Sequence, residues 1–223
     1  MRPLVPILHL AAGHHGGQVA VLKLAENGHA QADLSKVPAD RLLSVMTRCV
    51  FNAGFNWKVI DAKWDGFEAA FEGFDPAKLA FFGEEMMDDL VSDARIVRNG
   101  QKIKATLENA SMVAEIEQSE GGFGRFLATW PADDQVGLMH ALNTRGSRLG
   151  GATGQYFLRF CGWDAWITSR DVCVALVREG VLDKPMATSK RDLGKVQAAI
   201  NHWHSGSGLP RAAISRILAL SVG

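Results

Sequence analysis

The residues Leu142-Asn143-Thr144-Arg145-Gly146-Ser147-Arg148-Leu149-Gly150-Gly151-Ala152-Thr153-Gly154 combine arginine charge with glycine backbone. A helix-like run leads into this stretch and another leads out. Glycine lets a chain turn sharply and lets its backbone approach a ligand closely. Backbone N–H groups opening the next helix can then grip an anion such as a phosphate. Arg145, Gly146, Arg148, Gly150, Gly151 and Thr153 are therefore candidate contacts to a nucleic-acid backbone. The same letters also fit a tight helix-to-helix turn. A second stretch, Met46-Thr47-Arg48-Cys49-Val50-Phe51-Asn52-Ala53-Gly54-Phe55-Asn56-Trp57-Lys58-Val59-Ile60, sets aromatics and amides around a glycine that breaks a helix. Aromatic faces with amides nearby can stack on a planar base and read its edge. Packing of Phe55 and Trp57 into a core corner is the alternative.

Other chemistries find little support. His14-His15 and His202-Trp203-His204 lack zinc-ligand spacing, and no cysteine pair joins them. No GxSxG elbow or Walker-type loop occurs. Asp61, Asp65, Glu68 and Glu72 recur at helical spacing and are expected to form a solvated helix face.

The elements that carry these residues read as helical nearly throughout. Leu42, Met46, Cys49 and Ala53 repeat with helical period, as do Ile103, Leu107, Ala110 and Ala114, and Leu193, Val196, Ile200 and Trp203. Asp75-Pro76 reads as an N-cap followed by proline at the first helical position. Ser189 with Asp192 resembles a capping box. Asp133 and Asp134 are expected in a first helical turn, and Ser205-Gly206-Ser207-Gly208 at a helix end. The expected fold class is all-α, a single domain over 1–223 with about ten helices, and the hairpin near 133–161.

The chain has 223 residues, and Lys plus Arg equals Asp plus Glu at 24 each, so it is not a uniformly basic binder. Charge is uneven, however. Residues 61–93 are acidic, whereas Lys190, Arg191, Lys195, Arg211 and Arg216 face only Asp192 near the C-terminus, which allows one basic face. Cys49, Cys161 and Cys173 are scattered and odd in number, as in a cytoplasmic protein with reduced thiols. No apolar run has membrane-spanning length, and Pro3 and Pro6 make the N-terminus read as a helix start rather than a secretion signal.

Four segments taken in order resemble the 3-methyladenine DNA glycosylase I family, a branch of the helix-hairpin-helix glycosylases. Ala53-Gly54-Phe55-Asn56-Trp57 is similar to its AGLSW segment, and Phe67-Glu68-Ala69-Ala70-Phe71-Glu72-Gly73-Phe74-Asp75-Pro76 to its FxxAFxxFDP segment. Ile96-Val97-Arg98-Asn99-Gly100-Gln101-Lys102-Ile103-Lys104-Ala105, with Asn109-Ala110, is similar to IVRNxxKIxAxxxNA. Arg145-Gly146-Ser147-Arg148-Leu149-Gly150-Gly151 stands at the place of the hairpin RGFKFVG. The resemblance implies monofunctional hydrolysis of the N-glycosidic bond of an alkylated adenine of the 3-methyladenine type in duplex DNA. It implies two lobes around a base pocket and no nucleotide cofactor, and a monomer is expected. A helix-hairpin-helix module that binds DNA without chemistry is the alternative.

The departures sharpen what is expected. Aligned on the glycine and tryptophan, Cys49 stands where the family has the glutamate that reads the base, and Asn52 stands for a glutamine. Trp57 is kept. The expected base pocket is thus Cys49, Phe51, Asn52, Asn56 and Trp57. The family's zinc ligands have no counterparts, so no metal is expected. Tyr156 is the only tyrosine, so the pocket tyrosines near the family's N-terminus are missing. Asp171 lies near, but out of register with, the aspartate that many relatives carry after the hairpin, and is the one candidate catalytic residue. Ala152 and Thr153 stand where bifunctional relatives have a lysine.

Overall fold

Where apolar residues recur every three or four positions, the chain turns helical and buries that stripe. The computed structural model describes residues 2–26 and 33–223. Its described residues form α1 (Val5–His14), α2 (Gln18–Glu26), α3 (Ala39–Asn52), α4 (Trp57–Ala62), α5 (Trp64–Ala70), α6 (Pro76–Leu79) and α7 (Glu84–Ser92). These are followed by α8 (Gly100–Ser119), α9 (Phe123–Thr129), α10 (Gln135–Arg145), α11 (Gly151–Cys161), α12 (Arg170–Arg178), α13 (Lys190–Ser207) and α14 (Arg211–Leu220), with 3-10 turns at Leu34–Lys36 and Glu72–Phe74. No strand occurs among the described residues. The chain is all-α. Helices of four to seven residues, too short to show a period, raise the number above the ten or so expected.

Caps define several ends. Asp75 Oδ1 accepts from Ala77 N at 3.0 Å and Lys78 N at 3.3 Å, with Pro76 opening α6. Ser189 Oγ accepts from Asp192 N at 3.0 Å and closes α13's start, whereas Gly208 ends it with φ +72°. Asp134 precedes α10 instead of lying in its first turn; its Oδ1 accepts from Gly137 N at 3.0 Å, which makes it a cap. In α3, Leu42, Met46 and Cys49 are buried, but Ala53 falls past the helix end and is exposed.

Contacts group the chain into two compact units. The first comprises the described part of Met1–Ala32, with Pro131–Leu138 and Leu158–Gly223. Its core contains Ile7, Trp166, Leu176, Ile200, Trp203 and Leu218. Gln135 ties the turn at Trp166 through paired 2.8 Å bonds to its backbone N and O. Arg211 belongs to no basic face: it is buried, with Nε donating to Asn201 Oδ1 at 2.6 Å. Lys195 is paired with Asp183 at 2.9 Å.

The second unit comprises Asp33–Trp130 and Met139–Phe157. Its centre is α8, which packs on α3, α6, α7 and α9. Trp64, Phe67, Phe71 and Phe74 stack in sequence at centroid distances of 5.1–6.1 Å. Of the expected solvated acidic residues, Asp61, Asp65 and Glu72 are exposed, but they do not share one helix face with Glu68, because the chain bends at Lys63 and at Phe71. Glu68 instead turns inward. It accepts from Arg41 at 3.0 and 2.9 Å, from Ser44 Oγ at 2.8 Å and from Trp64 Nε1 at 3.1 Å. Burial pushes its pKa up, but these four donors outweigh burial and hold it below the ordinary carboxylate range.

Glu68→Gln should therefore destabilise the fold by about 1–3 kcal/mol at pH 7. Because the folded pKa lies below the unfolded one, the contribution is full above roughly pH 4.3 and fades as pH falls through the folded value. Thermal melts from pH 7 to pH 3 should show the wild-type and variant Tm values converging at the acid end.

Candidate nucleic-acid interface

Both candidate segments lie in the second unit, and α8 positions them. At the end of α3 the last carbonyls have no helical partner. Lys102 of α8 supplies one: its Nζ donates to Phe51 O at 2.9 Å and to Ala53 O at 2.5 Å. An ammonium here also suits the negative end of the α3 dipole. Lys102 is buried, and burial, aided by repulsion from Arg148, pushes its pKa down. Beyond Ala53, Gly54 turns the chain with φ +77°, a conformation that favours glycine. Asn56 then caps α4, its Oδ1 accepting from Lys58 N at 3.0 Å.

The aromatic residues divide into two sets. Trp57 opens α4 with 40 % of its surface exposed, and Tyr156 of α11 meets it edge to face at 5.6 Å. Phe55 is also 40 % exposed, with Lys102 Nζ 4.4 Å from its ring. Phe51, in contrast, is fully buried and packs at 4.7 Å on Phe67. Its ring belongs to the core that backs the wall, a correction to its expected place in a base pocket. Cys49 and Asn52 sit one turn apart on α3 and are both buried. Neither polar atom of the Asn52 side chain has a hydrogen-bond partner, and the Thr47 hydroxyl also lacks one.

The hairpin occupies residues 146–150, between α10 and α11. Asn109 of α8 fixes it from below: its Oδ1 accepts from Ser147 N at 2.7 Å, and its Nδ2 donates to Ser147 O at 3.1 Å. The approach is close enough to require Gly146, where a Cβ would meet Asn109 Oδ1 at 2.7 Å and Met112 Sδ at 2.9 Å. Arg148 adopts φ +57° at the tip and is exposed, with its guanidinium donating to Gln101 Oε1. Arg145 is differently placed. It pairs with Glu120 at 2.5 Å and Glu115 at 3.5 Å, and lies 5.7 Å from the Phe126 ring centroid. Gly150 and Gly151 are exposed where α11 begins, and Thr153 is half-buried in its first turn. The Gly146 and Ser147 N–H groups are used within the protein, by Leu142 O and Asn109 Oδ1, and Arg148 is the exposed arginine of the hairpin.

Lys102, Asn109 and Tyr156 are the positioning residues that pattern reading did not assign. A signal existed in α8: Lys102, Thr106 and Asn109 are polar residues at helical spacing, and all three are buried. Asp171 lies in the first unit, exposed in the first turn of α12, where a carboxylate suits the helix dipole. The donor set does not fit a structural zinc. Cys49, Cys161 and Cys173 are separate buried thiols, burial pushes the Cys161 thiol up to about 12, and no three metal-binding side chains gather among the described residues. No helix of the described residues is long and apolar enough to cross a membrane.

The methyladenine glycosylase family profile matches residues 36–146, which include α3 through the hairpin's first glycine. The DNA-3-methyladenine glycosylase 1 of Escherichia coli (strain K12) is 32 % identical over 129 residues, covering 49 % of this chain and 69 % of that protein. Among solved structures, a 3-methyladenine DNA glycosylase I is 26 % identical with a TM-score of 0.50, covering 57 % of this chain and 81 % of its own. The Staphylococcus aureus 3-methyladenine DNA glycosylase I, 22 % identical with a TM-score of 0.53 over 69 % of this chain and 92 % of its own, shares the fold. The chain belongs to the methyladenine glycosylase family, and is thus a DNA-repair glycosylase of the hydrolytic kind.

Asn109→Ala should leave the Ser147 N–H unpaired and destabilise the protein by about 1–3 kcal/mol. Urea unfolding should report this as a lower midpoint at unchanged slope.

Proposed function

We propose that the protein releases 3-methyladenine and alkylated adenines of that type from duplex DNA as a monofunctional hydrolase. In this reading the damaged nucleotide is flipped out, at a cost of a few kcal/mol that is smaller for a damaged base. Trp57 stacks on it. In the nucleoside the N3-methylated adenine is cationic, so an indole face adds a cation–π attraction on the order of 0.5–2 kcal/mol. When the C1′–N9 bond breaks, its electron pair stays with the base, which leaves neutral. Water bonds to C1′ and gives up a proton. A cationic leaving group needs little acid assistance, which suits a site whose wall offers neutral groups.

The single observation that carries the reading is the exposed Trp57 ring, held edge-on by Tyr156 just beyond the end of α3, which α8 grips through Lys102 as it grips the hairpin through Asn109. Backbone N–H groups of Gly150 and Gly151, with Arg148, are proposed to hold a phosphate, while the Gly146 N–H donates to Leu142 O at 2.9 Å and closes α10. Thr153 stands beside them, whereas Arg145 supports the hairpin from within its ion pairs. Cys49 and Asn52 form the wall beside the base, and the Asn56 carbonyl serves α4. Asp171 is not needed for this chemistry. The protein is taken to work as a monomer in the cytoplasm, without a nucleotide cofactor.

Methylated duplex DNA should release 3-methyladenine, measured by chromatography of the freed bases. Trp57→Ala should lose about 1–3 kcal/mol of stacking, roughly a five- to hundredfold fall in release, with little change in affinity for undamaged DNA. DNA binding without release of any alkylated base would instead establish the non-catalytic binding module. For the hairpin, Arg148→Ala should reduce the salt dependence of DNA affinity by about one unit of slope. Arg145→Ala should chiefly lower the Tm.

A further inference from the structure

The first unit holds a cavity of about 560 Å³. Leu4 and Leu8 at the start of α1, Leu22 of α2, Trp203 of α13 and Leu209 beyond it give the cavity an apolar lining. None of its lining residues falls within 36–146, the stretch that the family profile matches, and none belongs to the second unit. It is therefore no part of the proposed DNA interface. Packed interiors leave few voids larger than a water molecule, whereas small-molecule sites run from about 300 to 1,000 Å³. The wall on the N-terminal side is held in place. Trp203 Nε1 donates to Arg2 O at 3.0 Å. The Arg2 guanidinium donates to both oxygens of Glu179, one of them at 2.6 Å, and the Glu179 side chain is wholly buried. Two ties thus fix the backbone just ahead of Leu4.

We propose that this cavity binds a small uncharged molecule with an apolar body and a single hydrogen-bonding head, the chemistry of a medium-chain alcohol. The lining decides the charge. It contains no Lys, Arg, Asp or Glu, and Arg2, just outside it, is neutralised by Glu179. A charge taken from water without a partner is costly, so an ionic head would stay outside. The lining also decides the number of polar groups. Of its three polar side chains, two are spent. The Trp203 indole N–H is on Arg2 O, and Ser207 Oγ donates to Trp203 O at 2.7 Å while accepting from Leu209 N at 3.2 Å. His202 is exposed and has no hydrogen-bond partner among the described residues. A neutral imidazole has one donor and one acceptor nitrogen, and a hydroxyl can meet either. The body of the ligand lies against Leu8, Leu22 and Leu209, where each methylene removed from water adds affinity.

Backbone-amide NMR titrations of the full chain with 1-octanol test the site. Saturable shift changes should gather at Leu8, Leu22, Gly206 and Leu209. Octanoate, of the same length, should bind at least tenfold more weakly, and 1-hexanol about four- to tenfold more weakly. Gly206→Leu should occupy the cavity from within α13. Gly206 lines it, a Cβ there meets nothing within 4 Å, and no positive φ stands in the way. This variant should keep or raise its Tm, since leucine favours a helix over glycine, and should lose octanol affinity at least tenfold. His202→Leu, at an exposed and unbonded position, should lose about two- to tenfold, the worth of one hydrogen bond. Shifts that fail to saturate at these residues would overturn the proposal, as would undiminished octanol binding by a folded Gly206→Leu. Octanoate binding as tightly as octanol would overturn the uncharged class. Unchanged octanol affinity in His202→Leu would overturn the single-head assignment, whatever the fate of Gly206→Leu.

Discussion

One rigid rod, α8, sets the relation between the two loops of the interface. Lys102 grips the end of α3 and Asn109 grips the hairpin. The two are seven residues apart, two turns of helix, so they share a face and stand roughly 10 Å apart along the axis. Each grip closes backbone groups that helix ends and tight turns leave open. With either grip removed, the loop in question would lose its reference point, since both loops are otherwise short segments between helices. The aromatic stack of Trp64, Phe67, Phe71 and Phe74 supports the same side of α3, and Glu68 locks it to Arg41 and Ser44.

Charge is arranged to the same end. Most arginines of the second unit that lie near the loops are committed to carboxylates: Arg41 to Glu68, Arg145 to Glu120, and Arg48, at 3.8 Å, to Asp61. Arg148 stands outward on the hairpin, where its guanidinium donates to the neutral Gln101 side chain. A chain with net charge zero can in this way direct a local positive field without a basic surface overall. The strength of a phosphate contact would then come chiefly from oriented N–H groups rather than from accumulated lysines.

Much of this was legible in the residues themselves. The hairpin, the helix break at Gly54, the Asp75-Pro76 cap and the all-α class follow from local rules about glycine, proline and period, and the structure bears them out. What was not legible depends on contacts distant in sequence. Period alone puts Glu68 on a solvated face; only the bend at Lys63 and the reach of Arg41 from another helix bring it inward. Phe51 and Trp57 look alike as aromatics in one segment, yet one is core and the other exposed, because α3 ends between them. Arg145 and Arg148 look equivalent, and only Glu115 and Glu120 at the end of α8 separate them.

Both grips from α8 close on main-chain atoms: carbonyls at 51 and 53, and the N–H and carbonyl of residue 147. No side chain of the gripped loops takes part in these hydrogen bonds, although Lys102 Nζ also lies over the Phe55 ring at 4.4 Å. Apart from Gly146, which the approach of Asn109 requires, these hydrogen bonds do not depend on the lettering of what they hold. A wall residue can change from acid to thiol, or a hairpin residue from aromatic to serine, without shifting the backbone that presents it. Such a scaffold separates placement from chemistry, so side chains of the α3 end and of the hairpin tip can be exchanged while the backbone that carries them keeps its place.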